Sequence, residues 1–353
     1  MVSQVSTQLR VAVVGCGQIS DAHIKAWRNV GAKVTAVCDK NVALAENKVK
    51  RWRIPRYYED VSRMVREEEI DVASICTPPN VRLSVVEPLV ESGVHVIIEK
   101  PFAMSISEAE KMIELKNRYG VKLTVVHGWL FSHIMKRVMR SLANKELGEL
   151  LGFEMNMLHT KDDPMAANPS HWCHSMIAGR FGENLPHPLY ISRAILGEVK
   201  VRQILGSKLG TYPWMPIDEL RVLLEDKSGR IASIYISFNT ARPETTLKIF
   251  GTAGILEVNL SNNILIRKYY REIKPTQVTM DVLRSIRDCI TSLSSIGLAI
   301  LTKQYQGMHT EFIKDFVKSL KNNTEPPVTA EEALEVAKLH LDLSSKIHKL
   351  YYE

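Results

Sequence analysis

The sequence predicts two domains of different architecture. An α/β unit on a doubly wound parallel sheet comes first, and an α+β unit with a large, mostly antiparallel, open-faced sheet follows. Three observations predict this. The first half alternates apolar strand runs with helical patterns at regular spacing, as repeated βα units do. The second half strings together strand runs joined by short turns, several alternating apolar with polar residues, as a sheet with two unlike faces does. At 353 residues the chain is also long enough for two cores rather than one.

Taken in order, residues 1–8 are polar, lack the charged-then-apolar layout of a signal peptide, and read as a flexible tail. Strand runs at 10–15, 33–39, 71–77, 94–99 and 122–127 are apolar with little alternation, as strands buried on both faces are. Helical patterns fill the gaps at 20–30, 42–52, 60–68, 82–92 and 105–119, the last opening on Ser105 or Ser107 with Glu108 and Glu110 in its first turn. The second half offers strands at 149–159, 201–206, 219–226, 231–239, 245–251, 255–260 and 264–270. Lys227-Ser228-Gly229 and Thr252-Ala253-Gly254 carry hairpin chemistry. Helices close the chain near 282–301, 308–320 and 330–350. The expected domains are 9–128 and 129–353, with the C-terminal helices free to pack back on the first.

Composition narrows the function. No segment approaches the ~20 apolar residues of a membrane helix, so a membrane partner is not expected. Five widely spread cysteines (Cys16, Cys38, Cys76, Cys173, Cys289) without a CxxC pair read as a reduced, cytoplasmic pattern. The formal charge of +7 is compatible with an anionic ligand. Its densest cluster, Lys48, Lys50, Arg51 and Arg53 around Trp52, reads as a solvated helix end rather than a nucleic-acid site.

The chemistry sits at strand ends. Gly15-Cys16-Gly17-Gln18-Ile19-Ser20 follows a strand and opens a helix; the first glycine permits a tight turn, and the second lets a pyrophosphate reach the helix N-terminus. Asp39 ends the next strand near the ~20-residue offset of a ribose-binding acid. A carboxylate there accepts from a 2′-hydroxyl and repels a 2′-phosphate, which favours NAD over NADP, an exclusion that Lys40 softens. Thr77-Pro78-Pro79-Asn80 turns the chain out of the sheet. That loop either lines the nicotinamide side of a cleft or is a rigid turn with Asn80 capping the next helix. Glu99-Lys100-Pro101 ends a further strand and delivers a lysine to the carboxyl edge of the sheet, where ligands bind in such folds.

In order and spacing these motifs resemble the glucose–fructose oxidoreductase, inositol dehydrogenase and MocA family. The run Phe250-Gly251-Thr252-Ala253-Gly254-Ile255-Leu256-Glu257 resembles that family's second-domain signature. The resemblance implies a Rossmann domain, a C-terminal open-faced sheet used for oligomerisation (a homodimer or homotetramer), and hydride transfer between a nicotinamide and a sugar, cyclitol or related polyol. It further implies that Lys100 and a second-domain histidine act on the reacting hydroxyl, and it carries His187 to that histidine position. Glu183 stands where the family has aspartate, Val81-Arg82-Leu83 follows the Pro-Asn turn without the usual histidine, and His127-Gly128-Trp129 replaces the common asparagine or arginine.

A neutral histidine can take the hydroxyl proton while a lysine ammonium stabilises the developing alkoxide. His187 is therefore assigned as proton acceptor and Lys100 as the electrostatic group, the reverse remaining open. Glu99 is placed against the cofactor. Glu183 and His187 are expected at a helix start, since Pro186 and Pro188 fit only a first turn. There Glu183 contacts substrate or orients His187; alternatively it is a helix-start acid and His187 an interior histidine. His127, Trp172 and Glu183 are the candidate substrate residues, Trp172 offering an apolar face to a sugar ring. His171-Trp172-Cys173-His174 with Glu183 and His187 supplies zinc-ligand types but no tight ligand spacing, and no metal is expected. A regulator that keeps the fold without turnover is the alternative function.

Overall fold

A computed structural model describes residues 8–210, 212–269, 274–301 and 307–353. It divides into two compact units, Met1–Phe131 with Gln306–Leu341, and Ser132–Tyr305 with Asp342–Glu353.

The first unit holds six strands: β1 (Arg10–Val14), β2 (Lys33–Cys38), β3 (Arg56–Tyr58), β4 (Val72–Ile75), β5 (His95–Ile98) and β6 (Leu123–Val125). All pair in parallel, in the order β3-β2-β1-β4-β5-β6. The order reverses between β1 and β4, the switch point where such sheets bind ligands. Apolar strand residues such as Val13, Val37, Ala73 and Ile97 are fully buried, which explains the missing alternation. The intervening helices are α1 (Gln18–Asn29), α2 (Val42–Trp52), α3 (Val61–Glu67), α4 (Arg82–Glu91) and α5 (Ile106–Tyr119). Asn41, Asp60 and Ser105 cap α2, α3 and α5 with their side chains.

Two local expectations need correction. Asn80 does not cap α4: Pro79–Val81 form a short 3₁₀ turn, and Val81 is the N-cap. Nor is the basic cluster simply solvated. Asp21 of α1 accepts from Lys48 Nζ, Arg51 Nη1 and Trp52 Nε1, each at 2.7 Å, and so ties α2 to α1.

The second unit begins with α6 (His133–Ala143), a helix the sequence reading did not include. Ser132 caps it, and Ile134, Met135 and Val138 form its buried stripe. Its sheet contains β7 (Leu150–Thr160), β8 (Val199–Ser207), β9 (Glu219–Asp226), β10 (Ile231–Thr240), β11 (Glu244–Gly251), β12 (Gly254–Asn259) and β13 (Ile264–Lys268). The order is β13-β12-β11-β7-β10-β9-β8, antiparallel except for β7 with β10. The expected end of β13 at Tyr270 lies outside the described residues. Two short helices, α7 (Gly179–Asn184) and α8 (Pro186–Leu196), come between β7 and β8.

The two faces of this sheet differ as the alternation implies. On β10, Ala232, Ile234, Ile236 and Phe238 are fully buried. The other face carries charge: Glu257 pairs with Lys248 at 3.3 Å and Lys268 at 2.7 Å, and Glu225 with Lys200 and Arg202 at 3.5 and 3.3 Å. The 27-residue α9 (Pro275–Leu301) follows β13 and starts earlier than its sequence pattern suggested. No helix among the described residues is long and apolar enough to cross a membrane. In the first unit α10 (Met308–Asn322) adds Phe312, Ile313 and Phe316 to the Rossmann core; α11 (Ala330–Tyr351) follows it, its residues to Leu341 counted with the first unit and those from Asp342 with the second.

Candidate active site

The glycine turn is built as a close backbone approach. Gly15 has φ +93°, and a Cβ there would lie 2.7 Å from Cys76 C and Thr77 N, so only glycine lets β1 turn against the end of β4. Gly17 is the N-cap of α1, with no side-chain cap and no heavy atom within 4 Å of its Cβ direction. Gln18 and Ile19 are exposed beside it. An open, uncapped start to a 12-residue helix fits a pyrophosphate, which the first-turn N–H groups and the helix dipole would hold. The Asp39 carboxylate joins this turn, accepting from Cys16 N–H at 2.7 Å and Asn41 N–H at 2.8 Å. Lys40 is exposed next to it. Burial pushes the Cys16 thiol up to about 12, so it stays protonated.

At the end of β5 the Lys100 backbone is clamped from both sides. Glu99 is buried, and its Oε1 accepts from His23 Nε2 of α1 at 2.8 Å and His309 Nε2 of α10 at 3.1 Å. Its Oε2 accepts the Lys100 N–H at 3.2 Å. Burial alone would raise the Glu99 pKa, but the two histidine hydrogen bonds outweigh it and hold the carboxyl well below the usual range. Burial also lowers His23, against the pull of Glu99, so His23 stays neutral.

On the carbonyl side, buried Arg82 donates Nε and Nη2 to Thr77 O at 3.2 and 2.9 Å, Nη1 to Glu99 O, and Nη2 to Lys100 O at 3.4 Å. One guanidinium therefore links the Thr-Pro-Pro-Asn turn to Glu99-Lys100. Burial lowers Arg82 to about 10, which leaves it charged at neutral pH. His127, after β6, is buried and lowered to about 3 by desolvation, so it is a neutral hydrogen-bonding group.

In the second unit, Glu183 and His187 do sit around a helix start: Glu183 lies in α7, and Pro186 opens α8. Glu183 accepts from Arg180 Nη1, while His187 Nδ1 lies 2.9 Å from Tyr190 Oη. Arg180 is itself buried, stacked over Phe238, and reaches both oxygens of Asp163 at 3.3 Å. Desolvation raises Asp163, but His159 and Arg180 reverse this and hold it far below the ordinary carboxylate range. Asp163 Oδ1 also takes the N–H groups of Met165 and Ala166 at 3.1 and 2.8 Å, which fixes the loop after β7. Trp172 heads a short 3₁₀ turn in that loop. His171 Nδ1 accepts from Cys173 N–H at 3.3 Å, and His174 Nε2 donates to Met165 O at 3.0 Å.

The first unit thus brings the glycine turn, Asp39, Thr77 and Lys100, all named from the sequence, into one connected edge. Sequence reasoning missed the residues that hold them: His23, Arg82 and His309 there, and Arg180 and Tyr190 in the second unit. Among the described residues the group with metal-ligand geometry is His23, Glu99 and His309, not the His171–His187 region. A concavity lined by Arg10, Asp71, His95 and Lys122 lies at the opposite, amino end of the sheet, away from these residues.

A doubly wound sheet with an open glycine turn and an acid after β2 is the arrangement of a dinucleotide-binding fold. The sequence places it more narrowly. Residues 9–127 match the oxidoreductase family with an NAD-binding Rossmann fold, residues 135–257 match the GFO/IDH/MocA C-terminal domain, and the chain belongs to this family. It is 32% identical over 258 residues to D-apiose dehydrogenase of Paraburkholderia graminis, covering 70% of this chain and 67% of that one. It is 21% identical to myo-inositol 2-dehydrogenase of Thermotoga maritima, over 92% of each. Its fold is similar to that of the WlbA dehydrogenase from Bordetella pertussis, solved with NADH and UDP-GlcNAcA (TM-score 0.76, 20% identity, 96% of each chain).

Proposed function

We propose that this oxidoreductase moves a hydride between NAD and a secondary alcohol or ketone of a sugar, cyclitol or related polyol, with Lys100 and His187 acting on the reacting oxygen. The named relatives support the substrate class. The observation that carries the assignment of Lys100 is its clamped peptide: Glu99 holds the N–H and Arg82 the two flanking carbonyls. Such preorganisation of a charged group is what electrostatic catalysis requires.

When bound, the nicotinamide supplies the hydride acceptor; Gly15 through Ile19, Asp39, Lys40, Thr77 through Asn80 and Lys100 would hold the dinucleotide, while Glu99, whose oxygens are taken by His23, His309 and the Lys100 N–H, would act through the Lys100 peptide. Asp39 favours a free 2′-hydroxyl and hence NAD over NADP. The Lys100 ammonium stabilises negative charge as the substrate hydroxyl loses its proton. His187 takes that proton. For this, Nδ1 must carry its hydrogen and donate to Tyr190 Oη, which leaves Nε2 as the basic nitrogen. Trp172 and His127 complete the substrate side, Trp172 with an apolar face and His127 as a neutral hydrogen-bonding group. Arg180 spends its charge on Asp163 and Glu183, so it orders the second-unit loop that carries Trp172. The five free cysteines support a reducing, cytoplasmic setting, and assembly is as a homodimer or homotetramer.

The test is a dehydrogenase screen over sugars and polyols with NAD and NADP in parallel. Reduction of NAD by at least one of them is expected. Tight NAD binding with no turnover of any sugar or polyol, in either direction, would refute the reading.

A further inference from the structure

We infer that the outward face of α9 is a self-association surface that pairs with the same helix of a second copy of this chain. The helix is amphipathic the wrong way round for a monomer. Val278, Met280, Val282, Leu283, Ile286, Ile290 and Leu293 are each between 47% and 70% exposed, while Asp281 and Asp288 are buried. A surface helix ordinarily does the reverse. Asp288 has a use inward, taking the Arg267 N–H at 3.2 Å. Asp281 has no hydrogen-bond partner for either oxygen, only a loose approach to Arg284 at 3.7 Å. Six of the seven apolar residues, all but Met280, lie within one arc of the helix, at 100° per residue.

The occupant follows from area, spacing and charge. Seven half-exposed apolar side chains present roughly 450 Å² of apolar surface, in the range where patches on monomers are functional. Two copies face to face bury on the order of 1,000 Å², the size from which specific interfaces begin. Val282, Ile286, Cys289 and Leu293 recur at the alternating spacing of four and three that lets two helices interlock. The charges between Val278 and Leu293 are two aspartates and two arginines, without the cationic excess that draws a helix onto an anionic membrane. The open face of the seven-stranded sheet, by contrast, carries ion pairs on both flanks.

Cys289 lies in this seam and is partly exposed, whereas the other four cysteines are buried, so the chain carries its own reporter. The test is sedimentation of the full chain, unmodified and as I286E/I290E, with near-ultraviolet circular dichroism as the folding control. The assembled mass should halve in the variant at micromolar concentration. A bismaleimide should link unmodified chains through Cys289, and C289S should remove that product. The linking experiment keeps the proposal falsifiable even if the glutamates disturb folding. An unchanged mass, a monomeric unmodified chain or no Cys289-dependent product overturns it. A monomer that floats with phosphatidylglycerol vesicles, and stops doing so in I286E/I290E, overturns it in favour of a membrane surface.

Discussion

Replacing Arg82 with methionine separates its service to Lys100 from its service to the fold. The guanidinium is buried, and its lowering from 12.5 to about 10, burial being partly offset by Glu99, corresponds to a net penalty on the charged form of roughly 3 kcal/mol at 1.36 kcal/mol per pKa unit. Against this stand its bonds to Thr77 O and Glu99 O, each worth about 1.5–3 kcal/mol for a charged donor. The bonds exceed the penalty by about 0–3 kcal/mol. Methionine fills much of the volume and recovers the desolvation cost, so a net loss of about 1–2 kcal/mol is expected. That corresponds to a few degrees in Tm. The loss to catalysis should be larger in proportion, because the Lys100 peptide loses the guanidinium that holds its flanking carbonyls. A tenfold fall in kcat needs just ~1.4 kcal/mol of lost transition-state stabilisation. Arg82→Met should therefore melt slightly earlier, bind NAD within about threefold of the parent, and turn over at least tenfold more slowly. Unchanged kcat, or NAD affinity falling in step with kcat, would refute the clamp.

Other consequences follow from the same geometry. Gly15→Ala should weaken NAD binding and lower Tm by several degrees, because its Cβ meets the Cys76–Thr77 backbone at 2.7 Å in a left-handed conformation; calorimetry and thermal melts read both. His127 has a folded pKa of about 3 against 6.5 ordinarily, so the unfolded chain takes up its proton first. Its stabilising contribution is complete above pH ~6.5 and erodes as pH falls towards 3. Denaturant titrations of His127→Asn should show the loss between pH 7 and 5 shrink by about 2 kcal/mol. Asp39→Ser should move the NAD-to-NADP preference in kcat/KM towards NADP by at least tenfold, with some loss of NAD affinity because Cys16 N–H loses its acceptor.

Much of this molecule is legible in its sequence, for identifiable reasons. The parallel strands are read from unbroken apolar runs because both faces are buried, and the second sheet from alternation because one face is not. The three-residue β3, with two exposed members, carries no such pattern. Helix α6 carried a cap and a stripe, but lay where a strand-rich domain was expected to begin. At the candidate site, residues announced by local chemistry could be named from the sequence, and those defined by distant contacts could not. His309 reaches Glu99 across 210 positions, and nothing near it in sequence marks it. Arg82 reads as an ordinary helix-start cation until its burial is known. Glu183 is the instructive intermediate case: its spacing from His187 drew attention, yet Arg180, three residues earlier, holds it. Helix α9 shows the limit of periodicity, which finds an amphipathic helix without saying which face points inward.

In the proposed reaction Lys100 and His187 act on one reacting hydroxyl, while most of the hold on the dinucleotide comes from other residues. Its most direct test is to measure NAD dissociation constants and single-turnover NADH formation side by side for the parent, Lys100→Ala and His187→Ala. Both variants should bind NAD within a fewfold of the parent and form NADH at least a hundredfold more slowly. Turnover at the parent rate in either variant would contradict the claim.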